Sequence, residues 1–128
     1  MDINNSLKRK NNEPPFAISK FGMRFHHIGI PTNHHKSNEK YLAKYKLYVS
    51  GFDASDYGIE WMRFQKGSPV SNIIQKIPHI AFEVDNLETA IKGKMIISEI
   101  DSPSKGIRTA MILDNGAPVE FIEFKKRK

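Results

Sequence analysis

Phe25-His26-His27-Ile28-Gly29-Ile30 is followed, 52 positions later, by Ile77-Pro78-His79-Ile80-Ala81-Phe82, and the two stretches align residue for residue. Each carries a histidine followed by an alternating apolar run. A second pair lies downstream: Glu60-Trp61-Met62-Arg63-Phe64 aligns with Glu120-Phe121-Ile122-Glu123-Phe124 at a shift of 60. Self-similarity of this kind marks a repeated structural unit. The chain therefore reads as two copies of one module, each opening on a histidine-bearing strand and closing on a glutamate-bearing one.

Working outward, the second copy is the clearer. From His79 to Val84, Ile80, Phe82 and Val84 fall on one face and His79, Ala81 and Glu83 on the other, the period-two pattern of a strand. Asp85-Asn86-Leu87-Glu88 has the form of a capping box, with the Asp85 carboxylate accepting from the Glu88 N–H. Leu87, Ala90 and Ile91 follow at helical spacing, and Gly93 is placed to close the helix in a left-handed conformation. Strands are expected over Met95–Ile100, Thr109–Leu113 and Val119–Phe124, punctuated by Ser102-Pro103 and by Asn115-Gly116, a tight-turn dipeptide. The order is β-α-β-β-β.

The first copy opens with Phe25–Ile30. Tyr41, Leu42 and Tyr45 then suggest a helix over about 37–45, and strands are expected at Leu47–Val49 and Ile59–Phe64. This copy is shorter: 33 positions separate His27 from Glu60, against 41 between His79 and Glu120, which leaves one strand abbreviated or missing. Residues 66–76, with Gly67, Pro69 and several polar side chains, have the composition of a linker.

A chain of 128 residues accommodates one domain with an apolar core. Residues 1–22 are rich in Asn and Lys and include Pro14-Pro15, with no apolar periodicity, so they are expected to be a flexible basic extension. The net charge of +6 lies at the ends: residues 1–22 carry four basic and two acidic side chains, residues 125–128 four basic ones, and residues 23–124 twelve of each. The central region is neutral, so a specific nucleic-acid partner is not expected. The chain has no cysteine, which excludes thiol catalysis and thiolate metal sites. No stretch approaches the roughly 20 apolar residues of a membrane helix, and a soluble, cytoplasmic protein is expected.

Two His and two Glu at repeated strand positions are suitable ligands for a divalent ion such as Zn, Ni, Co, Mn or Fe, because neutral imidazoles and carboxylates suit these metals. If a pseudo-twofold axis relates the modules, His27, Glu60, His79 and Glu120 converge as two symmetric pairs. Strand alternation allows all four to face one way, while His26 faces opposite to His27 and His34 and His35 fall outside the strand. Glu123 is expected to be a solvated strand end, and Trp61 to belong to the core.

Three segments resemble the vicinal-oxygen-chelate superfamily, which includes glyoxalase I, bleomycin-resistance proteins and ring-cleaving dioxygenases. Phe-His-His-Ile-Gly-Ile-Pro-Thr at 25–32 is similar to its opening strand, Pro-His-Ile-Ala-Phe-Glu-Val-Asp-Asn-Leu-Glu-Thr-Ala-Ile at 78–91 to the start of its second module, and Asp-Asn-Gly-Ala-Pro-Val-Glu-Phe-Ile-Glu at 114–123 to its closing hairpin. The resemblance implies an α+β fold in which two tandem βαβββ-like modules, the first shortened, form a curved mixed sheet around a cleft. The domain would span 23–124, with module one at 23–65, the linker at 66–76 and module two at 77–124, followed by a basic tail at 125–128. It also implies one divalent metal held by His27, Glu60, His79 and Glu120.

In the family's glyoxalases and epimerases such a metal is a Lewis acid toward a substrate oxygen, and a carboxylate, here Glu60 or Glu120, is the catalytic base. The expected function is metal-dependent lyase, isomerase or epimerase chemistry by proton transfer on a small α-oxygenated substrate, in a chain able to form a homodimer. Two alternatives remain open: a metal-free small-molecule-binding protein of the bleomycin-resistance kind, and an iron-dependent ring-cleaving dioxygenase, which needs only two His and one Glu.

Overall fold

The computed structural model describes residues 7–125, so parts of the expected extension and most of the basic tail lie outside the described residues. Eight strands form one curled mixed sheet: β1 (Arg24–Pro31), β2 (Lys40–Leu42), β3 (Leu47–Ser50), β4 (Ile59–Phe64), β5 (His79–Glu83), β6 (Met95–Ser104), β7 (Ile107–Asp114) and β8 (Ala117–Phe124). Their order is β2-β3-β4-β1-β5-β8-β7-β6. Outward from the centre this reads 1-4-3-2 on one side and 5-8-7-6 on the other, so the sequence repeat is also a repeat of topology. β1 and β5 meet antiparallel, and each has the glutamate strand of its own module beside it in parallel.

Module one holds all four strands, and what it lacks is the helix. The segment expected to be helical at 37–45 instead forms β2, paired Lys40 to Val49 and Leu42 to Leu47, and then a 3₁₀ turn at Ala43–Tyr45 closed by Lys46 at φ 48°. Tyr41, Leu42 and Tyr45 mimic a helical stripe, but pairing with β3 puts Leu42 beside the buried Leu47 and overrides that local pattern. On the outer face of this module the loop before β2 covers the sheet with polar groups. Lys36 Nζ sits 4.7 Å from the Trp61 ring, and Glu39 accepts two 2.8 Å bonds from Arg63. Trp61 is half-buried there and is not part of either apolar core cluster, contrary to the expectation.

Module two keeps its helix, α3 (Leu87–Ile91), numbered after α1 (Phe16–Ser19) and α2 (Asn72–Lys76). The cap is one residue later than expected: Asn86 Oδ1 accepts from the Thr89 N–H at 2.8 Å, while Asp85 pairs with Arg24. Gly93, at φ 73°, adopts the expected left-handed conformation. β6 runs through Ser102-Pro103 rather than stopping there, because it is an edge strand, where proline's missing N–H breaks no ladder bond.

Two apolar clusters flank the sheet. On the outer face of module two, Phe82, Val84, Ala110, Ile112 and Phe121 pack against Leu87 and Ala90 of α3, and Ala17 and Ile18 of α1 join them. The expected extension is therefore packed in part. The second cluster lies on the inner face of module one, where Leu47 and Met62 meet Ile74. Ile74 is 1% exposed and lies on α2, a helix within the segment expected to be only a linker.

Glu123 is not a solvated strand end. Its carboxylate accepts the Leu87 N–H at 2.8 Å, which satisfies a donor at the start of α3, and accepts from Arg108 at 2.7 and 2.9 Å. Glu123→Ala should cost about 1–3 kcal/mol, because it leaves the part-buried Leu87 N–H without its acceptor and Arg108 with Glu88 alone. Chemical denaturation would measure the loss, and divalent-metal affinity should be unchanged because the side chain faces away from Glu120.

Candidate metal centre

The site follows from strand register. Across the antiparallel β1–β5 pair, His27 is opposite Ala81 and Gly29 is opposite His79. Across the flanking parallel pairs, Gly29 is beside Glu60 and Ala81 is beside Glu120. Each small residue is thus set between a histidine on one neighbouring strand and a glutamate on the other. With side chains alternating along each strand, all four functional groups emerge on the inner face.

The small residues are required by space. A Cβ built on Gly29 would lie 2.1 Å from His79 Cε1, so the imidazole occupies the volume that a side chain would fill. Ala81 is fully buried, and the two histidine rings meet edge to face with centroids 5.3 Å apart.

Glu120 Oε1 lies 3.2 Å from His79 Nε2 and 3.5 Å from His27 Nε2, and Glu60 Oε1 lies 3.6 Å from His27 Nε2. Bonds of about 2.0–2.2 Å to a shared ion leave adjacent donor atoms roughly 3 Å apart, so these spacings fit a metal site. The tightest group is His27, His79 and Glu120, whose ligand atoms all lie within 4.8 Å of one another. Glu60 adjoins it through His27.

The electrostatics agree with the geometry. Burial, the largest influence, lowers the His27 pKa to about 4 and leaves the imidazole neutral, the form that binds metal. Burial and then the neighbouring Glu120 carboxylate raise Glu60 to about 7. Among the described residues neither Glu60 nor Glu120 pairs with a lysine or arginine. Two carboxylates held together beside a neutral His27 without a cation are mutually repulsive, and a divalent ion relieves that repulsion. His79 Nδ1 is buried without a hydrogen-bond partner, so Nε2, facing Glu120, is the ring's one engaged polar atom.

The neighbouring histidines differ from expectation in one respect. A shift of register between Phe25 and His27, where β1 carries an extra residue against β5, turns His26 toward the site instead of away from it. Its Nδ1 lies 2.7 Å from His27 Nδ1, and its ring stacks on Phe52 at 4.7 Å. His34 and His35 stand apart, with the His34 N–H bonded to Thr32 and His35 3.3 Å from Glu39.

The four side chains open on a cavity of about 630 Å³ between the modules. Its walls include Leu42, Leu47, Val49 and Met62 from module one, Ile74 from α2, and Ile97 and Met111 from module two. Lys44, Tyr45 and Asp101 also line it; the sequence marked Tyr45 only as part of a helical stripe and did not mark Lys44 or Asp101. Lys44 Nζ donates to Asp101 Oδ1 at 2.9 Å and Tyr45 Oη to Asp101 Oδ2, tying the turn after β2 to the distant strand β6.

No protein-family model and no curated protein sequence matches the chain. Among solved structures, a hypothetical protein from Bacillus halodurans matches with a TM-score of 0.53 at 19% identity, over 95% of this chain and 91% of that one. The methylmalonyl-CoA epimerase of Mycobacterium tuberculosis, a vicinal-oxygen-chelate protein, matches with a TM-score of 0.51 at 15% identity, over 80% of this chain and 89% of that one. The fold is vicinal-oxygen-chelate-like. At these identities the likeness is one of fold, and the chemistry has to be argued from the site.

Gly29→Ala tests the construction directly. The added methyl displaces the His79 ring, so divalent-metal affinity should fall roughly 10–100-fold, as it does when the support of a ligand is removed. Isothermal titration would measure the affinity, and circular dichroism should show the sheet intact.

Proposed function

We propose that the chain is a divalent-metal-dependent isomerase, epimerase or lyase that moves a proton on a small α-oxygenated compound. One ion of Zn, Ni, Co, Mn or Fe would be held by His27, His79 and Glu120, with Glu60 as fourth ligand and base. The observation that carries this reading is the convergence of two buried imidazoles and two cation-free carboxylates at a cavity of about 630 Å³. The epimerase among the structural neighbours supports it at the level of fold.

When bound, the ion supplies Lewis-acid stabilisation of negative charge on a substrate oxygen. The chain's own residues do the rest. His27 and His79, fixed against Ala81 and Gly29, set the position of the ion and with it that of the substrate's oxygens. Glu60, beside His27 at the edge of the ligand group, is the carboxylate placed to take a proton from the substrate and to return it. The apolar walls exclude water from the proton in transit.

A second reading has an observation of its own. His27, His79 and Glu120 alone form a two-histidine, one-carboxylate set, which is also the ligand set of non-haem iron oxygenases. Oxygen uptake by the iron-loaded chain with a catechol would favour that reading, and turnover with redox-inert Zn would favour proton transfer.

The expected pH dependence follows from Glu60. Below about pH 7 the metal-free fold holds a proton on this carboxylate, and a metal that uses it as a ligand must displace that proton. Affinity should therefore fall as pH drops through 7, with Glu60 contributing about one released proton per ion at pH 6 and almost none at pH 8.5. Titration calorimetry in buffers of different ionisation enthalpy counts the protons. Glu60→Gln should remove that contribution and lower turnover about 10²–10⁴-fold. A proton count that stays the same in Glu60→Gln would show that Glu60 is not a ligand.

A further inference from the structure

The cavity has a composition that selects among α-oxygenated compounds. Away from the metal ligands its surface is mainly aliphatic, with Leu42, Leu47, Val49 and Met62 facing Ile97 and Met111 across the cleft. Charged side chains in the lining number four besides the two histidines: the carboxylates Glu60, Glu120 and Asp101, and the ammonium of Lys44. One divalent ion brings this set to neutrality and leaves no positive charge over. Lys44, the one cation in the lining among the described residues, already donates to Asp101 Oδ1 at 2.9 Å and to the Ser102 carbonyl at 3.3 Å.

A carboxylate or phosphate on the body of a substrate would therefore enter a mainly aliphatic chamber with no free cation to receive it. Burying an unpaired charge is strongly unfavourable, whereas burying alkyl or aryl surface is favourable. The volume also argues against a very small acid, since pockets of roughly 300–1,000 Å³ accept molecules of drug size. About 630 Å³ leaves room for a ring or a branched chain beyond the oxygenated end at the metal.

We infer that the substrate is an uncharged molecule with an apolar body, ring-sized or branched, joined to the oxygenated end that meets the metal. The inference rests on the metal-dependent reading above for the placement of the oxygens, and on the cavity walls for the body. It sets this site apart from one that meets a carboxylated or phosphorylated substrate with the charge-assisted bonds of a free lysine or arginine.

The test uses two probes that present the same oxygens and differ only at the far end: 2-hydroxy-4'-methylacetophenone and its 4'-carboxylate analogue. Each is titrated calorimetrically into the full chain loaded with one equivalent of metal. The methyl compound should bind at least ~10-fold more tightly, because the carboxylate is stranded among aliphatic side chains. Ile97→Lys, a change on the half-buried edge strand β6, should narrow or reverse the preference by giving the anion a partner. A melting curve would verify that the variant is folded. Equal or tighter binding of the carboxylate compound to the unsubstituted chain would overturn the inference, as would failure of both probes to bind a protein shown to hold its metal. Failure of the metal to bind would instead count against the proposed function. The same pair titrated into the metal-free chain would then still report the preference of the walls, where a lost preference for the methyl compound overturns the inference as well.

Discussion

The antiparallel register of β1 and β5 is the constraint on which the rest of this structure depends. With His27 opposite Ala81 and His79 opposite Gly29, the two imidazoles lie two residues apart across one ladder, the distance at which their edges meet. The parallel partners β4 and β8 then have one register that brings Glu60 and Glu120 beside the same small residues. A slip of one residue in any of these three ladders would send a ligand to the opposite face of the sheet. The apolar neighbours guard against the slip, because Phe82 and Phe121 would lose their packing under α3 at the same time.

The two modules have diverged in what covers them. Module two hides its outer face under α3 and α1 and uses long strands β6 and β7, so its stability comes from a helix-on-sheet core. Module one has no helix, and its outer face carries polar and cation–aromatic contacts. Its apolar residues point the other way, into the cleft, where the same side chains that stabilise the module form the walls of the cavity. Stability and binding are thus linked in module one and largely separate in module two. Substitutions in Leu47 or Met62 are expected to alter both, and Ile97, half-buried on β6, packs against the same cluster from the other module.

The site combines neutral ligands with crowded negative charge. Burial keeps His27 unprotonated and raises Glu60, so the metal-free centre holds a proton where the loaded centre would hold an ion. His26, brought alongside by the bulge in β1 and stacked on Phe52, closes off one side of His27. Opposite charges that might have neutralised the carboxylates are kept elsewhere, Arg108 with Glu123 and Arg24 with Glu83 and Asp85.

Read alone, the sequence determined the repeat, the α+β class, and the choice of His27, Glu60, His79 and Glu120 as the residues to examine. These were legible because strand alternation and duplication are periodic signals that a linear chain carries intact. It also located Asn115-Gly116 and Gly93, where φ is positive and the residue type reflects the local backbone. Only the tertiary structure decided that 40–42 is a strand, that α1 and α2 pack, that Glu123 serves α3, and that His26 turns inward. Each depends on a partner distant in sequence: β3 for β2, the module-two core for Ala17 and Ile18, Leu87 and Arg108 for Glu123, and the β5 ladder for the bulge. The cavity wall and the Lys44–Asp101–Tyr45 bridge are of the same kind, since they join residues more than fifty positions apart. No local pattern records such a meeting, because its energy arises only when the sheet has curled.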